Sequence, residues 1–488
     1  MKIGAKGKKI LTKVGLELTR INFVMDYFLK WGEKEILKQL VVKNERGRPI
    51  GAQEEKYYVV TNLMKAFEKK LKENALAPTV RDWVFNKLIG DIILNWADNH
   101  PEAAERRKKE LALPQFMTIS PTQMCNLACT GCYAASSKKT AVTLDYDILD
   151  KVIEQKRDLW GSHFTVISGG EPLLYKSKGK TILDLFEKYN DNFFLFYTNG
   201  TLIDKTMAQK IASLGNVSPA ISVEGFEEET DARRGKGVYK KILEAIENLK
   251  EAGVFYGISF TATRNNVDKI LNDEFVDEFF GERGAAFAWM FQYMPIGRGP
   301  DFDLMITPEQ RRNLWFQERH IIKDKGVFFI DFWNGGPISD GCISAGRKGG
   351  YLYMDWHGNM MPCVFIPYTV GNVKTDFFDK GKDLNDVLET TFFTKLRKWQ
   401  ENYSYKKLSS EAGNEIVPCP IRDHHAEFNK IARDSDATPV GKTAERSFKD
   451  EEFIKDFDEI GKKVAEATKD LWETEYQKIK TKEPSKAQ

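Results

Sequence analysis

The sequence predicts an α/β protein whose middle is a parallel sheet or barrel. Six short apolar runs, at 116–120, 164–168, 193–198, 220–223, 255–261 and 286–293, have the length and texture of buried strands. Helical patterns at 145–159, 181–189, 205–214 and 239–252 fall between them, and strand–helix alternation is the signature of parallel pairing. The residues best suited to chemistry follow those runs directly, where such folds gather their sites.

The flanking elements differ in texture. Residues 1–112 read as helical: Leu11, Val14, Leu18, Ile21, Met25 and Phe28 step by three and four, and Trp83, Leu88, Ile92, Ile93 and Trp96 continue the pattern. This stretch has 23 basic and 15 acidic residues, a difference of +8, and its first thirteen residues hold five lysines and no acid. Such a region serves as a helical cap with a solvated basic face, or lies on an anionic membrane surface or an acidic partner. Residues 113–325 carry the alternating core. Residues 326–430 turn rich in Gly, Pro and aromatics, with a hairpin pattern on either side of His357-Gly358-Asn359. Residues 431–488 form a charged helical tail in which Phe453, Phe457, Ile460, Val464, Thr468 and Leu471 make one stripe.

Composition narrows the function. With 488 residues, 42% of them apolar, the chain has material for a large core, and disorder is excluded for the whole. A net charge of +2 argues against holding nucleic acid by phosphate neutralisation. No apolar run reaches the ~18–20 residues of a spanning helix, and no apolar segment follows the basic start as in a secretory signal, so a cytoplasmic setting is expected.

The six cysteines are too sparse for a disulfide scaffold. They divide three and three. Cys125, Cys129 and Cys132 form Cys-x3-Cys-x2-Cys immediately after the first strand. Three thiolates on one loop can hold three corners of an iron–sulfur cubane and leave one iron open. A structural zinc loop is the bland reading and needs a fourth ligand.

The surrounding residues resemble the radical S-adenosylmethionine (SAM) superfamily over roughly 113–300. The second strand ends in Ser168-Gly169-Gly170-Glu171-Pro172, like the Gly-Gly-Glu-Pro element that meets the SAM amino group. The third ends in Thr198-Asn199-Gly200-Thr201, and the fourth in Ser222-Val223-Glu224-Gly225, like the family's strand facing the ribose and carboxylate. Arg233-Arg234-Gly235 and the helix after it also resemble the superfamily. The resemblance implies a partial (β/α)6 barrel, a SAM-binding [4Fe–4S] cluster on Cys125, Cys129 and Cys132, and SAM contacts from Gly169, Gly170, Glu171, Pro172, Asn199, Ser222, Glu224 and Arg234. It implies reductive cleavage of SAM to a 5′-deoxyadenosyl radical that takes hydrogen from a C–H bond, an oxygen-free setting, and an electron donor such as flavodoxin or ferredoxin. One departure stands out: many members carry an aromatic residue before the third cysteine, and here it is Gly131.

Cys342, Cys363 and Cys419 read either as buried thiols or as ligands. Their Gly-rich, hairpin-rich context over about 340–430 resembles the auxiliary-cluster region of some radical SAM enzymes, called twitch with one cluster and SPASM with two. Three cysteines, where a full SPASM region uses about seven, imply a single auxiliary [4Fe–4S] cluster. Its fourth iron is then open, or ligated by Asp423, His424 or His425 just after Cys419; these polar residues also suit helix capping. The expected function is an oxidative C–H modification assisted by that cluster. A peptide or protein substrate is the first expectation. A lipid or small molecule is the rival, with modest support from the basic N-terminal helix. A non-catalytic iron–sulfur or zinc protein is the contrasting class, and the SAM-site motifs speak against it.

Overall fold

The structure is a computed structural model that describes residues 22–109, 112–139 and 142–478. Its centre is a nine-stranded sheet. In chain order the strands are β1 (Phe116–Ile119), β2 (Phe164–Ile167), β3 (Phe193–Thr198), β4 (Val217–Ser222), β5 (Gly257–Ala262), β6 (Phe287–Gln292), β7 (Phe328–Asp331), β8 (Tyr351–Met354) and β9 (Met360–Met361). The spatial order is β9-β8-β1-β2-β3-β4-β5-β6-β7, and every pair is parallel except β8 with β9. No pairing among the described residues joins β9 to β7, so this is an open, partial barrel. All six strands expected in the core are present. The region after residue 325 adds β7 to one edge of the same sheet and β8 with β9 to the other.

Local sequence explains the covering helices. Helix Tyr146–Trp160 is capped by Asp145, whose carboxylate accepts from the Asp147 N–H, and it stops at Gly161 in the left-handed region. Helix Lys205–Leu214 begins in the same way at Asp204 and stops at Gly215. These helices bury one face of each strand completely: Met117, Ile119, Phe194, Phe196, Ile221, Ile258 and Ala288 are all inaccessible. Strand residues alternate between faces, so Phe116, Phe164, Phe193, Tyr197, Trp289 and Phe291 point to the concave side, and all six stay partly exposed there.

The N-terminal helices lie beneath the sheet. Helix α1 (Asn22–Leu37) packs on α2 (Ile50–Lys72), and α2 packs on β7. Leu63 and Ala66 of α2 meet the apolar cluster that contains Phe116, Phe164, Phe193, Phe255 and Phe328. Of the expected N-terminal stripe, Leu11, Val14, Leu18 and Ile21 lie outside the described residues. The C-terminal helix Glu451–Leu471 buries Phe453, Phe457, Val464, Thr468 and Leu471, with Ile460 partly covered. Beyond it Trp472 and Tyr476 close on Ala52 and Trp315, so this end is docked against the N-terminal layer.

Candidate active site

Cys125, Cys129 and Cys132 stand at the carboxyl end of β1, on the wall of a cavity of about 270 Å³. The loop is pinned by its backbone. Gly170 N–H donates to the Thr122 carbonyl (2.9 Å) and Glu171 N–H to that of Met124 (2.7 Å). A side chain at Gly170 would stand 2.0 Å from the Met124 carbonyl oxygen, so the Gly-Gly pair is demanded by the loop that carries the cysteines. Burial pushes the Cys125 thiol up to about 11, and the other two thiols add to the rise. A bound iron would reverse this by stabilising the thiolate.

The expected SAM contacts divide into two groups. Gly169, Gly170, Asn199, Ser222 and Arg234 line the cavity with the cysteines. Glu171, Pro172 and Glu224 are buried and do not line it. Glu171 accepts from the Thr198 hydroxyl (2.8 Å), the Asn199 N–H (2.9 Å) and the Leu173 N–H (3.2 Å), tying the end of β2 to the end of β3. Burial pushes its carboxyl up to about 7 despite those donors. Glu224 pairs with Arg233 and Arg234 and accepts from the Thr261 N–H (2.9 Å). Burial works against the Arg234 charge, and Glu224 with Cys129 and Cys132 more than restores it. Glu224 thus positions a cation beside the thiols.

Two aromatic residues join this site, Tyr133 directly after the third cysteine and Tyr293, to which no sequence motif points. The Tyr133 hydroxyl accepts from the Gly169 N–H (2.8 Å) and lines the cavity. Tyr293, just after β6, lays its ring against Gly131, where an added Cβ would stand 2.6 Å from Cε2. Gly131 also has φ of +63°, so glycine satisfies both the backbone and the ring. The missing aromatic before Cys132 is therefore matched by one arriving from across the sheet.

Cys342, Cys363 and Cys419 converge although 77 positions separate the first from the last. Burial first, then Asp423 and the other two thiols, pushes Cys419 well above its ordinary range. Burial pushes Cys363 up to about 12, with Cys342 adding to the rise, and the Tyr351 hydroxyl lies 2.8 Å from its sulfur. Two of the three candidate fourth ligands, Asp423 and His425, are fully engaged with protein partners, and His424 through one nitrogen. Asp423 forms a buried ion pair with Arg311 (2.6 Å) and accepts from the Cys419 N–H (3.1 Å). His424 Nε2 bonds the Val417 carbonyl (2.9 Å). Both nitrogens of His425 are used, by the Ile421 carbonyl (2.6 Å) and the Ser447 hydroxyl (3.0 Å).

Arg422 carries the test of fit at this second centre. It is fully buried, and its Nε and one terminal nitrogen lack a hydrogen-bond partner. Burial, followed by the neighbouring Arg311, lowers it to about 10, which leaves it charged at neutral pH, and Cys419 is among the groups that stabilise that charge. A buried cation with two unpartnered nitrogens, stabilised by Asp423, Cys419 and Asp331, fits an anionic thiolate cluster at Cys419. Among the described residues, no three His, Cys, Asp or Glu side chains approach closely enough to hold a single metal ion; in a cubane each thiolate serves a different iron.

Comparison with known proteins agrees with this geometry. Residues 119–273 match the radical SAM superfamily, and this stretch of the chain is a radical SAM domain. The chain is 33% identical over 219 residues to mycofactocin maturase MftC of Mycolicibacterium smegmatis, covering 44% of this chain and 54% of that one. It is 27% identical over 319 residues to the AdoMet-dependent heme synthase of Methanosarcina barkeri, covering 59% and 86%. It is 26% identical over 281 residues to the sporulation killing factor maturation protein SkfB of Bacillus subtilis, covering 54% and 63%. The match thus spans about half the length of the first of these maturases.

Proposed function

We propose that this chain is a radical SAM enzyme of the maturase type, with a catalytic cluster on Cys125, Cys129 and Cys132 and one auxiliary cluster on Cys342, Cys363 and Cys419. The observation that carries this reading is the grouping of the cysteines into two triples, one on the cavity wall and one off it, with Cys419 beside Arg422. When bound, the catalytic cluster and SAM supply a 5′-deoxyadenosyl radical able to take hydrogen from an unactivated C–H bond. The chain's own part is to hold and enclose. Gly169 and Gly170 bring backbone to the cavity rim, Asn199 and Ser222 offer polar contacts, and Arg234, set by Glu224, places positive charge at the thiols. Glu171 acts behind this wall by fixing the strand ends, with Pro172 buried next to it.

The names of the maturase relatives support a peptide substrate. A second reading, a lipid, is favoured by the aromatic and aliphatic lining of the cavity away from the cysteines. Anaerobic reconstitution followed by dithionite and SAM tests the chemistry. Iron near eight per chain and release of 5′-deoxyadenosine are expected. Absence of 5′-deoxyadenosine would falsify the catalytic reading, and iron near four would remove the auxiliary cluster.

A further inference from the structure

We propose that Tyr351, together with Ser344 and Gln400, is a positioning residue of the second centre. Their side chains donate hydrogen bonds to the thiolates of Cys363 and Cys342 and raise the reduction potential of the cluster those thiolates hold. The inference rests on the second cluster of the reading above, and its readout is a midpoint potential rather than turnover.

The first observation is a hydroxyl on a sulfur. Tyr351 Oη lies 2.8 Å from Cys363 Sγ. In the free thiol either group can donate. A thiolate on iron carries no proton, so the hydroxyl is then the donor. The ring is held in place from two sides. Tyr351 lies opposite Phe116 in the parallel pairing of β8 with β1, and the two rings stack at 5.0 Å and 4°. Phe332 meets Tyr351 edge-on at 6.1 Å and 83°. The residue is 1% exposed, so bulk water does not compete for the hydroxyl.

The second observation is a donor chain at the next sulfur. Gln400 Nε2 bonds the Ser344 carbonyl (3.0 Å) and the Ser344 hydroxyl (3.0 Å), and stands 3.6 Å from Cys342 Sγ. A carbonyl only accepts, so the NH2 of Gln400 faces these groups and not its oxygen. That oxygen is left buried without a partner, a loss offset by the acceptors gathered at the nitrogen. Ser344 Oγ, already accepting from Gln400, lies 3.2 Å from the same sulfur, and toward a thiolate it donates as well. Backbone bonds fix these groups in one frame. Tyr351 N–H donates to the Ile343 carbonyl (2.8 Å), and Ala345 N–H to that of Pro362 (3.0 Å), which lays the Cys342 loop against β8 and the Cys363 turn.

The third observation compares the centres. Each has a backbone donor at 3.4 Å, Phe365 N–H on Cys363 and Leu127 N–H on Cys125. The side-chain donor on Cys125 is Asn199 Nδ2 at 3.7 Å, far longer than the tyrosine contact at the second centre. Reduction adds an electron that the sulfurs share, so donors aimed at them stabilise the reduced cluster more than the oxidised one. A low local dielectric strengthens the effect.

The test is a redox titration of the full, anaerobically reconstituted chain with photoreduced deazaflavin, followed by electron paramagnetic resonance. Each cluster takes up one electron from the reductant. The signal that SAM perturbs belongs to the first centre, and the other to the second. Tyr351→Phe keeps the ring and its stacking and removes only the donor. It should lower the second midpoint by ~59 mV, a tenfold fall in the ratio of reduced to oxidised cluster at a given potential, and leave the first in place. Gln400→Leu should lower it in the same direction by less, on a chain whose tyrosine is intact. In D2O the second signal should show a coupled exchangeable deuteron that Tyr351→Phe abolishes. A second midpoint unmoved by both variants, an equal shift of both centres, or a deuteron coupling that survives in Tyr351→Phe overturns the inference with the two clusters still present. Iron at about four per chain with no second signal instead overturns the second cluster itself, and the inference with it.

Discussion

The two cysteine triples reach the same ligand count by opposite routes. Cys125, Cys129 and Cys132 share one loop, face an open cavity, and have their nearby cations already paired with Glu224. Cys342, Cys363 and Cys419 come from distant parts of the chain, do not line that cavity, and have beside them an arginine with unpartnered nitrogens. A centre on the cavity wall, with two arginines held by one glutamate, suits binding and chemistry; a centre away from the cavity suits a held cluster that exchanges electrons. The largest expected effects follow from this division. Replacing Cys125, Cys129 and Cys132 with alanine should abolish SAM cleavage altogether. Replacing Cys342, Cys363 and Cys419 should lower iron by about four per chain, keep part of the cleavage and block the product. Anaerobic assay of 5′-deoxyadenosine, product and iron separates the two, and identical behaviour of both triples would sink the division of labour.

Arg422 sharpens the contrast from the side of the second centre. If its charge answers a cluster, then removing it has opposite effects on the empty and the loaded chain. Arg422→Met should stabilise the cluster-free chain by about 1–3 kcal/mol, because a buried unpaired charge disappears while the stem volume stays. The loaded chain should instead lose the iron of the second centre more readily to a chelator. Denaturant midpoints of both forms, together with iron retention over time, read the two effects. A substitution that destabilises both forms alike would mean that Arg422 is packing alone.

The contrast also marks what was legible beforehand. Local signals carried far: β3 and the helix Lys205–Leu214 fall where the apolar run and the helical pattern put them, and the first triple needs no fold to be seen. Long-range pairing was not legible. Tyr351 and Leu352 lie opposite Phe116 and Met117 across more than 230 positions, and an apolar strand does not name its neighbour. The same holds for Glu171 and Glu224, whose motif positions suggest a face toward the cofactor. Each finds stronger donors in the backbone at adjoining strand ends, and Glu224 finds two arginines as well. Tyr293 was missed because it approaches Gly131 from another strand. Asp423, His424 and His425 have side chains suited to iron; the fold engages Asp423 with Arg311 and both nitrogens of His425 with protein partners, but only Nε2 of His424.

His425 offers a smaller way to pull the two centres apart. Burial holds its imidazole down to about 4, and its helix His425–Arg433 begins shortly after Cys419. The unfolded chain binds this proton near pH 6.5, so between 6.5 and 4 the unfolded state holds more protons than the folded one. The stabilising contribution is fully present above pH 6.5 and is lost as pH falls toward 4, by about 3 kcal/mol at most. Acid should therefore loosen the second centre before the first, and His425→Gln should flatten that dependence. Iron release from the two alanine-triple variants, followed from pH 7 to pH 5, checks the order.

The smallest expected effect tests the open side. Gly131→Ala meets two obstacles: a left-handed backbone, at about 1–2 kcal/mol for a residue with a Cβ, and the Tyr293 ring 2.6 Å from the new carbon. Tyr293→Leu removes the second obstacle and leaves the first. The double variant should then recover part of the stability lost by Gly131→Ala and stay below Tyr293→Leu alone, a coupling that a double-mutant cycle measures directly. If the ring is also part of the SAM pocket, Tyr293→Leu by itself should weaken SAM binding in an equilibrium assay while the iron content of both centres stays the same. Additive losses would mean that Gly131 answers only to its backbone, and that the aromatic residue reaching this loop from β6 is an accident of packing.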